Sequence, residues 1–271
     1  MVQFNIRRFW TILKWTVGTE KKQLINAFAS CVIIFFAIEI TGLVFSSDLS
    51  AMSRDQFVND VLSGAVSVCT AASMLMLLIM GSKIFDKMSR RGHATAFLMQ
   101  PASNIEKFLA RFLLITVGYV AGMFVAFCLA DTLRLLVGMI IGMPYAESGV
   151  PLVKNPFVFT IRIDVQRVSS LLLGFSHAIF LHSFYVLGGT LLRRYKFVIT
   201  SGMLILLVVL LFKVIDIDAR SSDEIRGMLL GLFTHRALYS SFFILLALCC
   251  YYASYRIFCR IQVVNNKWLN L

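Results

Sequence analysis

Six apolar runs divide the chain, at roughly 24–45, 61–82, 108–130, 168–192, 197–215 and 237–258. Each is near the ~20 residues that carry a helix through about 30 Å of hydrocarbon. Apolar residues follow one another without the two-residue alternation of a membrane β-barrel. In lipid every backbone N–H and C=O needs a partner within its own segment, so the runs are predicted as helices. Ahead of the first run, Val2, Ile6, Phe9, Leu13 and Val17 recur at helical spacing together with Trp10, opposed by Arg7, Arg8 and Lys14. That pattern predicts an amphipathic helix over 1–20, lying on the membrane interface with its tryptophan at headgroup depth. The expected fold is all-α: one polytopic domain over 1–271, with six spans, the interfacial helix, a long loop at 83–107 and another at 213–236.

The first long loop ends in a short polar sentence, "LMQPASNIEKFLARF" (98–112). Pro101 stops a helix arriving from its N-terminal side. Ser103 and Glu106 make an S-x-x-E capping box, each side chain serving the other's amide. A helix is therefore expected to begin at about Asn104 and run into the third span, with Ile105, Phe108, Leu109 and Phe112 on its apolar face. Loops longer than about 12–15 residues are often functional. This one sets Phe97, Leu98 and Met99 beside the charged cap, a combination suited to docking. A second S-x-x-E pair, Ser221 and Glu224, precedes the apolar run Met228–Phe233. That run is too short to span a bilayer and reads as an external interfacial helix or a shallow re-entrant one.

Charge orients these elements. The N-terminus, the loop after span two, the loop after span four and the tail carry seventeen Lys and Arg against three acids. The opposite set carries nine against ten, and Glu39 stands inside span one. The positive-inside rule places both termini in the cytoplasm. The net charge of +12 is thus a topology signal and a contact with anionic lipid headgroups, and nucleic acid is not expected as a partner. The six cysteines lie in or beside apolar runs with no C-x-x-C, which suits small core residues better than zinc or a disulfide framework. The first run is longer than a signal-peptide h-region and no A-x-A-like site follows it, so it is expected to remain as a span.

The sentence "LMQPASNIEKFLARFLL" resembles the cytoplasmic loop of the type-2 ABC exporter permeases, in which L-x-x-P-x-S-x-x-E-x-x-L-x-x-(K/R) joins spans two and three. The match falls on Leu98, Pro101, Ser103, Glu106 and Leu109, while the last basic position falls on Phe112, one residue after Arg111. "HSFYVLGGTLLRRYKFVITS" (182–201) resembles the turn between spans four and five of small bacterial permeases of this kind, and "YRIFCRIQVVNNKWLNL" resembles their C-terminal end. The resemblance implies a multi-pass protein of the bacterial inner membrane. It implies no cofactor of its own, because ATP is bound by a partner ATPase subunit, and a second permease half, either another copy or a sister chain. It implies that Phe97, Leu98, Pro101, Ser103, Asn104, Glu106 and Lys107 form the ATPase-docking element. The chain itself has no G-x-x-x-x-G-K-[ST] loop to cradle phosphates.

Polar residues inside apolar runs invite a functional reading. Glu39 is in the outer part of span one, where it needs a partner on another helix, a wet cavity or a proton. Asp131 and Arg134, three apart, can pair on one helix face as a structural ion pair. His177 and His182 lie in span four. At five residues apart they point about 140° from one another, so they suit polar packing better than a metal site; with Glu39 they are the candidates for a substrate path. "GFSH" (174–177) has the G-x-S-x form of a rhomboid-type serine protease, but span six holds no histidine to act as base. A non-transporting scaffold or accessory subunit fits the same six-span pattern.

Overall fold

The computed structural model describes residues 4–45, 53, 56–86, 91–141, 148–149, 165–221 and 236–260. All regular structure among them is helical: α1 (Ile6–Phe45), α2 (Ser63–Ser82), α3 (Arg91–Leu98), α4 (Asn104–Leu113), α5 (Tyr119–Ile141), α6 (Val165–Leu191), α7 (Lys196–Ser221) and α8 (Arg236–Arg260). A π-helical stretch, Phe57–Leu62, leads into α2, and another, Leu114–Gly118, joins α4 to α5.

Five helices are long and apolar enough to cross a membrane: Ile6–Val44, Asp60–Ser82, Asn104–Ile141, Leu172–Leu191 and Leu238–Arg260. Their exposed side chains, such as Ile33, Leu75, Phe124 and Leu245, are large and apolar. A surface of that kind is unstable in water and suited to lipid. The chain is therefore a multi-pass helical membrane protein. The expected fifth span, 197–215, falls within α7, a helix of 26 residues whose apolar side chains are described as far as Leu210.

The expected boundary between an interfacial helix at 1–20 and a first span at 24–45 does not occur. Instead α1 is one helix of 40 residues, about 60 Å long at 1.5 Å per residue. The polar stretch Gly18–Gln23 lowers the local hydropathy, but Glu, Lys and Gln are good helix formers and no proline interrupts them.

The chain divides into two compact units. One contains most of α1 and α2 together with α5. Its core is Cys31 and Phe35 of α1, Val66 and Cys69 of α2, and Met123, Ala126, Phe127 and Ala130 of α5. Phe35 meets Phe127 edge to face, with ring centroids 6.1 Å apart. All six cysteines are free; Cys31 and Cys69 are buried, Cys128 and Cys250 half-buried, and Cys249 and Cys259 exposed.

The other unit is built on α6 and α8, which pack along their lengths. His177 reaches Tyr239, Phe180 meets Phe243, and the His182 ring nitrogen Nδ1 lies 2.9 Å from the Tyr251 hydroxyl. The end of α6 approaches the end of α2 so closely that a Cβ at Gly189 would overlap the Ser82 carbonyl oxygen. Backbone cannot yield there as a flexible side chain would. Gly189→Ala is expected to cost about 1–3 kcal/mol, read by denaturation in detergent. Gly174→Ala on the same helix, where nothing lies within 4 Å of the added methyl, is expected to be neutral or to stabilise by up to ~1 kcal/mol. Equal behaviour of the two variants would count against this packing.

Candidate functional site

The polar sentence folds as its local chemistry dictates. Helix α3 ends at Leu98, the chain turns through Gln100, Pro101 and Ala102, and α4 begins at Asn104. The Ser103 amide donates to Glu106 Oε2 at 2.9 Å, and the Glu106 amide donates to Ser103 Oγ at 3.3 Å. Both halves of the expected capping box are present.

The structure adds partners from far along the chain. The Asn5 amide donates to Glu106 Oε1 at 2.7 Å, and Arg8 Nη2 donates to the same oxygen at 3.2 Å. Asn5 in turn caps α1, its Oδ1 accepting from the Arg7 amide. One carboxylate therefore serves the N-terminal ends of two helices, where the helix dipole favours negative charge. The adjacent Lys107 does the converse: its Nζ donates to the Leu98 carbonyl at 2.7 Å, at the C-terminal end of α3. The N-terminal end of α1 and the 98–107 element are thereby joined side by side.

An aromatic nest holds the element from beneath. Phe97 packs on Phe258 of α8, which also stacks on Phe85 at 4.8 Å and touches Phe108, and Phe108 meets Tyr255 edge to face. Phe97, Glu106 and Lys107 are accordingly buried, at 1%, 0% and 3% exposure. In this structure their side chains fasten the element from within. Its open surface is Met99, which is 80% exposed, with Pro101, Asn104, Ile105 and Leu109, while Leu98 is half-buried. Phe258, Asn5 and Arg8 escaped the sequence reading. Asn5 alone carried a local signal, as an N-cap residue just before the periodic run.

Two further cations, Arg111 and Lys196, make ion pairs. Arg111 makes a buried ion pair with Glu20. Lys196, at the head of α7, lies 3.5 Å from Asp86; burial lowers its pKa, while the Asp86 carboxylate acts in the opposite direction.

The intramembrane candidates separate. Glu39 meets Arg134 of α5, with Oε2 3.6 Å from Nε. Arg134 also donates to Asp131 Oδ1, at 2.7 Å from Nη2 and 3.2 Å from Nε. The expected Asp131–Arg134 pair is thus present, and Glu39 belongs to the same cluster. Asp131 further accepts from Ser148 Oγ at 2.6 Å and from the Gly149 amide at 3.1 Å. His177 and His182 lie in the other unit and each faces a tyrosine of α8, in keeping with polar packing.

Ser176 donates to the Leu173 carbonyl of its own helix at 2.8 Å, and neighbouring His177 is held between Leu173 and Tyr239. Among the described residues no group of three or more His, Cys, Asp or Glu is placed to hold a metal ion. Ser221 is the last residue of α7, while Glu224, Met228–Phe233 and the tail beyond Arg260 lie outside the described residues. Comparison with family models, with curated proteins and with solved structures found no match to this chain.

Proposed function

We propose that the chain is the membrane-spanning permease subunit of an ABC exporter in the bacterial inner membrane, driven by a separate ATPase that docks on the α3–turn–α4 element. The observation that carries this reading is the construction of that element. Three helix ends are fastened by the adjacent residues Glu106 and Lys107, leaving Met99, Pro101, Asn104 and Ile105 outward. A rigid mount with a small apolar tip is what transmission of a mechanical stroke demands. ATP binding closes the ATPase dimer, the tip moves with it, and α4 passes the displacement directly into α5 through the π-helical joint at Leu114–Gly118. Six spans, with both termini in the cytoplasm, complete the half-transporter, and a second half, another copy or a sister chain, completes the pathway.

The test is affinity purification in mild detergent after crosslinking, with mass spectrometry of what is captured. An ATPase bearing a phosphate-binding glycine loop is the expected companion. Met99→Glu and Ile105→Glu should each lower its recovery about tenfold, a loss of ~1.4 kcal/mol. Both residues are exposed, so stability should stay within about 0.5 kcal/mol of the parent. Monodisperse protein without an ATPase would overturn the permease reading in favour of a scaffold.

A further inference from the structure

The cluster of Glu39, Asp131 and Arg134 presents a charge problem that the permease reading does not use. All three residues are at most 3% exposed. Two carboxylates face one guanidinium, so full ionisation leaves a surplus negative charge among apolar helices, which costs several kcal/mol. Among the described residues the neighbours supply polar groups rather than a second cation. Cys69 of α2 lies near enough to feel both carboxylates, and the loop after α5 contributes only the Ser148 hydroxyl and the Gly149 amide. Among the described residues Arg134 is the one cation paired with the cluster.

The hydrogen bonds show where relief is available. Asp131 accepts two bonds from Arg134, one from Ser148 and a shared one from Gly149. Both oxygens of Asp131 are thereby satisfied by protein donors. Glu39 has the 3.6 Å approach to Arg134, and neither of its oxygens accepts a hydrogen bond. A metal cation would neutralise the surplus equally well but needs several oxygen ligands, and Glu39 offers only its own two.

We propose that Glu39 is a proton-binding site, taking up one proton to leave a neutral acid beside an intact Asp131–Arg134 pair. Proton uptake removes the attraction between Glu39 on α1 and Arg134 on α5, and release restores it. The contact between these two helices thereby becomes sensitive to pH. This inference is independent of the permease reading, since it rests on the cluster alone.

Infrared difference spectroscopy tests it, comparing acidic with alkaline buffer on the purified full chain in lipid bilayers. The parent is expected to show the carbonyl stretch of a protonated carboxylic acid, and Glu39→Gln to lose it. Asp131→Asn removes the surplus charge, so the same band should weaken at neutral pH. Absence of the band from the parent overturns the proposal whether or not either variant folds. Survival of the band in a folded Glu39→Gln protein overturns it too, because the proton then sits elsewhere.

Discussion

An Arg134→Met variant is expected to lose about 3–5 kcal/mol of stability, the usual cost of stripping one partner from a buried ion pair. Methionine fills much of the arginine stem's volume, so the loss is electrostatic rather than a cavity effect. Asp131 is the residue left stranded. Ser148 and Gly149 remain as its donors, but the guanidinium that faced it is gone. Reversible unfolding in mixed micelles measures the loss. Adding Asp131→Asn to the variant should recover a large part of it, because Glu39 is then the one carboxyl left in the cluster and proton uptake there neutralises it. A single variant within about 1 kcal/mol of the parent would mean that the cluster is solvated and that the charge argument fails.

Glu106→Ala should unfasten the α3–turn–α4 element. It removes the acceptor of the Ser103 and Asn5 amides and the counterion of Arg8. Hydrogen bonds to a charged acceptor contribute about 1.5–3 kcal/mol, so local opening should rise roughly 10–100-fold. Amide hydrogen exchange at Asn5, Ser103 and Glu106 reads this directly. Ser103→Ala loses only the cap, about 0.5–2 kcal/mol, and leaves the link to Asn5 in place. If Glu106→Ala left exchange at Asn5 unchanged, the long-range clasp would be absent in the membrane. Under the permease reading the same variant also captures less ATPase although the exposed tip is chemically untouched, which separates loss of mounting from loss of contact.

How much of this was legible in the sequence depends on range. The capping box joins residues three apart, so Pro101, Ser103 and Glu106 announced the start of α4 to the residue. Helical character and the positions of α2, α6 and α8 followed from the length of apolar runs. The continuity of α1 did not, because a dip in hydropathy over Gly18–Gln23 was taken for a break although its residues favour helix. Glu39 was visible as an anomaly, but its partner lies on α5, and nothing local connects them. The aromatic nest was hidden for a related reason. In a chain with twenty-four phenylalanines, nothing marks Phe258 as the one beneath Phe97. The π-helical stretches had no sequence signal.

The clasp at Glu106 also orders events during synthesis. Asn5 and Glu106 are 101 positions apart. At about 5–20 residues per second, the ribosome delivers the carboxylate roughly 5–20 s after the amide it will bind. Throughout that interval α1 can enter the bilayer with Asn5 and Arg8 still waiting for Glu106. Only a chain whose second span has inserted in the right sense returns Glu106 to the side where they wait. A nascent chain that inserts wrongly keeps an unmatched acid and an unmatched base on opposite faces of the membrane, a defect that surveillance proteases can read before the remaining helices are made.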